Sequence, residues 1–331
     1  MSIEDLASLA GGTGTAKPMP TFGEYIAKLR TSLPKTTVKN YSTYWQVIEN
    51  AWSDRKLDEP TATEIAGLVE HKRANAAVRR NSRDGHGAAI HMVSAFRCIY
   101  SHAESDGLIK PRDNPAQKVA KPRRLDSPRH ALTRQQVIEI GGVASTTGND
   151  TELDALIVRL HIEAACRRAG ILALEIPDLN PDDSLIQLHE KGGTVRWQPI
   201  SPLLMGKLVE HVDNRGGATA TSQIMRYRDG RPITARRFDY LTERVRAHLP
   251  WAERLQVSSH WIRHTTLTYV EREFGEAVAR AYSGQAQPWN TGAIPIYTRA
   301  TIVEVAEALV AVTGQPHPLA REVRHPLAPR T

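Results

Sequence analysis

His260-Trp261-Ile262-Arg263-His264-Thr265 opens a predicted helix in the C-terminal third of this 331-residue chain. His260 and Arg263 are three positions apart, so they share one face of that helix. An arginine binds phosphate oxygens through two parallel N–H groups, and a histidine exchanges protons near neutral pH. The pair is therefore suited to a phosphodiester under attack. His264 follows His260 by four positions, but Trp261 stands where the zinc-protease pattern has Glu, which favours a packing or hydrogen-bonding role for His264.

Two stretches earlier in the chain offer further cations. Ala164-Ala165-Cys166-Arg167-Arg168 places two arginines at the end of an apolar helix. We expect one of them to point inward, and the alternative is a pair on the surface. Lys191-Gly192-Gly193 forms a predicted tight turn between two alternating strands. A lysine at such a tip is ordinarily solvated, although it can also protonate a leaving oxygen.

Tyr297 is the candidate nucleophile. It lies in Ile296-Tyr297-Thr298-Arg299, after a loop rich in Gly, Pro and Asn and 34 residues after Arg263. By itself, a tyrosine before a helix is usually only packed. Metal-free cleavage of a phosphodiester needs a nucleophile, cations on the non-bridging oxygens and a proton source for the leaving oxygen. Tyr297, the arginines and Lys191 together provide all three.

Length and periodicity predict a mainly α-helical chain in two domains, with a small β-sheet in the second. The predicted segments are a flexible leader at 1–20, a helical domain at 21–109, a linker at 110–130, a second domain at 131–315 and a loose tail at 316–331. A last helix at 301–312 carries an apolar stripe. Periodicity leaves open whether this stripe packs on its own domain or on a neighbouring molecule.

Positive charge is concentrated around the predicted linker. Lys plus Arg number 43 against 36 Asp plus Glu, an excess of seven, and the pI is about 9.5. Prolines prevent a continuous helix here, so the linker is either solvated or laid along a phosphate backbone, and we favour the second reading. The predicted phosphate contacts are Lys72, Arg73, Arg79, Arg80, Lys118, Lys121, Arg123 and Arg124.

Several classes of protein are disfavoured by what the sequence contains. Its two cysteines, Cys98 and Cys166, fit no disulfide framework or metal knuckle. No apolar run approaches the length of a membrane helix, and the acidic start Met1–Asp5 is unlike a signal peptide. Nucleotide-binding glycine motifs are missing, so neither a cofactor nor a metal is predicted. A cytoplasmic, nucleoid-associated protein is expected.

The order and spacing of these motifs resemble those of the tyrosine recombinases, the phage integrases among them, over residues 21–312. The resemblance implies Tyr297 as nucleophile, with Arg167, Arg263, His260 and Lys191 as its catalytic partners. Two departures accompany it. Gly170 stands where the family usually has an acidic residue, and Gln285 stands where it has His or Trp. Trp289 is the alternative to Gln285, because an indole N–H is also a hydrogen-bond donor.

The resemblance further implies an N-terminal helical core-binding domain and a C-terminal α+β catalytic domain. The expected activity is site-specific recombination of double-stranded DNA through a 3′-phosphotyrosyl intermediate. A homotetramer on DNA is expected, with a monomer possible without DNA and with accessory DNA-bending or directionality proteins as further partners. The alternatives are a DNA-binding regulatory homologue with weakened catalysis and an enzyme resembling type IB topoisomerases.

Overall fold

A computed structural model of the chain describes residues 18–77, 83–125, 129–189, 193, 195–216, 219, 221–285 and 300–321. It divides into two compact units, Met1–Ser127 and Pro128–Thr331. Both are built mainly from helices, and a three-stranded sheet lies in the second. The predicted fold class, mainly α with a small sheet in the second domain, is therefore confirmed. Across the described ranges, no helix is long and apolar enough to cross a membrane.

The first unit is a bundle packed around its fourth long helix. Buried side chains of that helix, Phe96 and Tyr100 among them, are fully enclosed, and both rings contact Phe22 edge-on. Thr21 and Thr61 begin two of the helices with capping boxes. The helices are α1 (Phe22–Ser32), α2 (Lys35–Trp52), α3 (Ala62–Ala74), α4 (His86–Ser105) and the short α5 (Pro115–Lys118).

Part of the predicted linker at 110–130 belongs to this first unit. Asn114 caps α5 by accepting hydrogen bonds from the N–H groups of Ala116 and Gln117. Pro115 occupies the first position of this helix, where proline favours a helix instead of breaking it. Ala116 and Val119 are buried in the core of the unit. Residues 121–125 carry no helix or strand, and His86 Nε2 donates to the Arg123 carbonyl at 2.7 Å.

The second unit surrounds a buried helix, α7 (Thr151–Glu163), with helices on several sides. The strands pair antiparallel in the order β1-β2-β3, and His189 faces Val195 at the end of the β2–β3 pair next to residues 190–194. The elements are α6 (Arg134–Thr146), α7 (Thr151–Glu163), α8 (Arg168–Leu172), β1 (Leu179–Asn180), β2 (Leu185–His189), β3 (Val195–Pro199), α9 (Pro202–Arg215), α10 (Ala235–His248), α11 (Pro250–Leu255), α12 (Ser259–Ser283) and α13 (Ile302–Thr313).

The C-terminal helix α13 packs on its own chain. Val305, Ala308 and Leu309 are buried against Val270 and Tyr282 of α12. The apolar stripe that the sequence left unassigned is thus covered within this unit.

The predicted loose tail at 316–331 is wrong for its first residues. His317 is buried, its Nε2 donates to the Ser184 carbonyl at 3.2 Å, and its Nδ1 accepts from Leu319 N. Prolines suggested a loose tail, but the imidazole satisfies backbone groups on both sides and holds the segment in place. Residues 322–331 lie outside the described part of the chain.

Two buried histidines predict acid sensitivity. Burial lowers the pKa of His161 and of His211 from 6.5 to about 4. Below pH 6.5 the unfolded chain therefore binds protons at these histidines that the folded chain does not bind. Their contribution to the free energy of unfolding is fully present above pH 6.5 and is lost as the pH falls towards 4. Between pH 7.5 and 5 each histidine should remove about 2 kcal/mol from the free energy of unfolding. Urea titrations at those pH values measure the loss, and equal stability at both would contradict it.

Candidate active site

A cleft in the second unit brings together three of the predicted catalytic residues. It encloses about 540 Å³, and its walls include Arg167, His260 and Arg263. The walls come from the end of α7, the loop into α8, one face of α10 and the start of α12. Arg167 and Arg263 are 96 positions apart in the chain and meet here through the fold.

The start of α12 presents His260 and Arg263 to this cleft. Trp261 and Ile262 are buried in the core, so the helix turns its core face inward and the His260–Arg263 face towards the cleft. His260 lies at the exposed mouth, whereas Arg263 is only 3% exposed. The shared helix face that the spacing predicts is the one that lines the cleft.

Arg263 also connects two segments of the chain next to the cleft through hydrogen bonds. Its Nη1 donates to the carbonyl of Ala165, and its Nη2 donates to the carbonyl of Ser283 at 2.7 Å. One guanidinium thus joins the loop before α8 to the C-terminal end of α12. A lysine could not make this contact, because its single ammonium lacks the planar fork of arginine.

His260 has a lowered pKa. Partial burial of the ring is the main cause, followed by the positive charges of Arg129 and Arg263. The imidazole is therefore neutral at pH 7 and has a lone pair with which to accept a proton.

Arg167 is held at the junction between α7 and α8. It is half-buried and occupies the position just before α8. Ala165, two residues earlier, has a left-handed backbone with φ 43°, which costs a non-glycine residue roughly 1 kcal/mol or more. Arg168 is exposed and pairs with Asp239 of α10 at 3.0 Å. Arg167 is thus the more buried of the two arginines, as expected if one of them points inward, although both line the cleft.

Three of the predicted catalytic residues, Lys191, Trp289 and Tyr297, lie outside the described residues. Gln285 is described: it is exposed just after α12 and is not among the residues lining the cleft. The choice between Gln285 and Trp289 remains a prediction.

Gly170, which departs from the family pattern, is buried in α8. A β-carbon there would lie 3.7 Å from Leu188 Cδ2 and 3.9 Å from Cys166 Cβ, which are ordinary contacts. The structure therefore has room for a β-carbon at this position.

The candidate DNA-binding cations of the first unit differ in their surroundings. Lys118, Lys121, Arg123 and Arg124 are exposed, and Lys72 lies 5.7 Å from the centre of the Tyr44 ring. Arg73 forms a fork with Glu70, with contacts of 2.6 to 3.0 Å, so much of its charge is neutralised locally. Arg79 and Arg80 fall in the gap between the described ranges 18–77 and 83–125.

A buried ionic network behind the cleft was missed in the sequence. Asp154 is fully buried and accepts from Arg237 at 2.7 Å and from Arg244 at 2.5 Å. Beside it, Asp150 pairs with Arg215 at 2.5 Å. The network joins α10, which forms one wall of the cleft, to α7, and it joins α9 to the start of α7. No pattern in the sequence pairs these charges, because the partners lie 65 to 90 positions apart.

Comparison with known proteins places this fold and site in context. No family model matches the chain. It is 25% identical over 230 residues to tyrosine recombinase XerC of Pelobacter propionicus, covering 69% of this chain and 72% of that protein. It is 24% identical over 296 residues to tyrosine recombinase XerC of Chromobacterium violaceum, covering 86% and 90%.

Solved structures share the fold. A lambda integrase tetramer bound to a Holliday junction superposes with a TM-score of 0.63 at 15% identity, covering 88% of each chain. The Tn1549 transposon integrase in complex with transposon right end DNA gives 0.63 at 16% identity, covering 89% of this chain and 99% of that one. The chain is thus similar in sequence to tyrosine recombinases and shares its fold with two integrases. Of the motifs that carry the resemblance, those of Arg167 and of His260–Arg263 come together in the cleft.

Proposed function

We propose that this protein is a tyrosine recombinase that cleaves and rejoins double-stranded DNA at specific sites, with Tyr297 as the nucleophile. The observation that carries the proposal is the cleft that gathers Arg167, His260 and Arg263 from separate parts of the chain. Two arginines and a neutral histidine around one cleft match the needs of a phosphodiester under attack. The two curated relatives, both tyrosine recombinases, support the same activity.

In the proposed reaction the Tyr297 hydroxyl attacks the scissile phosphorus. A 3′-phosphotyrosyl bond forms, the bond to the 5′-oxygen breaks, and the tyrosine proton passes to His260. Lys191 delivers a proton to the leaving 5′-oxygen, while Arg167 and Arg263 stabilise the charge that develops on the non-bridging oxygens. The phosphotyrosyl bond conserves the energy of the broken bond, so a 5′-hydroxyl from another strand reverses the step without a nucleotide cofactor.

Strand exchange requires two DNA sites and, in our proposal, four copies of the chain. The lambda integrase structure, a tetramer on a Holliday junction, supports this assembly for the fold. The exposed cations of residues 118–124 are proposed to contact the phosphate backbone next to the site. Accessory DNA-bending or directionality proteins are further proposed partners.

Trapping the covalent intermediate tests the proposal. Because Tyr297→Phe should bind DNA without cutting it, this variant can first select the target site from a random-sequence duplex library. The selected site, nicked next to the scissile phosphate, is then incubated with the unmodified protein, and denaturing electrophoresis should show a protein–DNA adduct. Tyr297→Phe should form none, whereas Tyr269→Phe, which alters an exposed tyrosine of the same unit, should react like the unmodified protein.

The alternatives give different results in this assay. If the unmodified protein formed no adduct on its selected site, the result would indicate a DNA-binding protein without cleavage activity. Relaxation of supercoiled plasmid that lacks the selected site would indicate a topoisomerase.

A further inference from the structure

His161 is a buried polar side chain that the proposed reaction does not use. It lies in the last turns of α7, is 2% exposed and lines the cleft together with Arg167, His260 and Arg263. Its neighbours in the helix, Leu160 and Ile162, are apolar, so an imidazole here is unexpected from the pattern. The edge of the Phe238 ring packs against it, with the ring centres 5.8 Å apart.

The protonation of His161 follows from its contacts. Nδ1 lies 3.2 Å from the carbonyl oxygen of Cys166, which can only accept, so Nδ1 carries the hydrogen. Nε2 has no hydrogen-bond partner among the described residues. Burial and the nearby charges of Arg263 and Arg168 lower the pKa of His161 to about 4. The ring is therefore a neutral donor throughout the neutral pH range.

The carbonyl that His161 holds belongs to the peptide joining Cys166 to Arg167. A peptide unit is planar, so the direction of its C=O fixes the N–H and Cα of the next residue. Holding Cys166 O thus sets the point from which the Arg167 side chain departs. The loop needs such support, because Ala165 has an unfavourable left-handed backbone.

We infer that His161 is a positioning residue for Arg167: its Nδ1–H holds the Cys166–Arg167 peptide so that the Arg167 guanidinium projects into the cleft. The inference rests on the proposed function, in which Arg167 binds the scissile phosphate. It differs from the contacts of Arg263 with Ala165, because it acts on the peptide directly preceding the arginine.

Substitutions at His161 separate its two nitrogens. In His161→Asn the amide Nδ2 takes the place of the ring Nδ1 and can still donate to Cys166 O. In His161→Gln the amide reaches the place of Nε2 instead, and in His161→Leu both donors are lost. His211→Leu is the matched control, because His211 is also a buried histidine with a lowered pKa but is not among the residues lining the cleft.

The readout is the single-turnover rate of adduct formation at saturating nicked DNA, alongside DNA affinity. His161→Leu and His161→Gln should react roughly 10- to 100-fold more slowly with affinity nearly unchanged, since a small misplacement of a catalytic group costs up to about 10²-fold. His161→Asn should recover most of the rate. His211→Leu should unfold more easily but react normally once folded. An unaltered rate in His161→Leu, or recovery by Gln and not by Asn, would overturn the inference.

A second readout does not depend on cleavage. In complexes of Tyr297→Phe with the selected DNA, phenylglyoxal modification of Arg167 is measured by mass spectrometry. DNA should protect Arg167 when residue 161 is His or Asn, and protection should be lost with Leu. Equal protection in all three would contradict the positioning role, even if the unmodified protein forms no adduct and the proposed function fails.

Discussion

Replacing Arg263 with lysine should slow DNA cleavage by roughly 10²- to 10³-fold although the positive charge is kept, which is the loss typical of removing a donor to a developing oxyanion. Arg263 is 3% exposed and reaches the carbonyls of both Ala165 and Ser283 while lining the cleft. A lysine ammonium cannot span two carbonyls and a phosphate at once, because its donors radiate from one atom.

Single-turnover adduct formation with saturating nicked DNA measures this effect, since saturation separates chemistry from binding. Arg168→Lys is the matched control: Arg168 lines the same cleft but is exposed and pairs with Asp239. That control should change the rate by only a few-fold. If Arg263→Lys reacted as fast as Arg168→Lys, Arg263 would not be the residue that stabilises the transition state.

Replacing Asp154 with alanine should destabilise the second unit by about 3–5 kcal/mol, the usual cost of leaving buried charges without their partner. Asp154 is fully buried and accepts hydrogen bonds from Arg237 and Arg244. Its removal leaves two nearly buried guanidinium groups facing each other. Because α10 forms one wall of the cleft, cleavage should fall in parallel with the folded fraction.

Urea-induced unfolding of the full chain measures this loss. Asp239→Ala is the matched control. Asp239 lies on α10 and forms an ion pair with Arg168, but its side chain is 62% exposed. An exposed pair contributes at most about 1 kcal/mol. Equal losses from the two substitutions would show that the buried network does not stabilise the fold.

Local signals in the sequence predicted much of the helical framework. Thr21, Thr61 and Thr133 each begin a helix with a capping box, as their spacing to Glu or Gln indicates. The pattern of apolar residues predicts one helix over 260–273 and another over 275–283. The structure confirms this division, because Ser259–Ser283 consists of two helical segments that meet at Gly275, whose φ of 82° is not helical. These features depend on neighbours within a few positions, which a sequence displays directly.

Such local signals do not predict contacts between segments that are far apart in the sequence. Asp154 and Arg237 are 83 positions apart, and each by itself reads as an exposed charge on an amphipathic helix. His161 reads as a polar interruption of an apolar helix, because its acceptor is the carbonyl of a loop formed only in the fold. His317 similarly lies in a proline-rich stretch whose partner, Ser184, comes from a turn 133 positions earlier.

Identifying the amino acid bonded to DNA tests the central claim most directly. Trypsin should release residues 281–299 from the adduct as one peptide, which contains both Tyr282 and Tyr297. Tyr282 is buried, donates to the Glu163 carbonyl and has a raised pKa because of its burial, so it is a poor nucleophile. Fragmentation by mass spectrometry should place the 3′-phosphonucleotide on Tyr297. A nucleotide on any other residue would contradict the account.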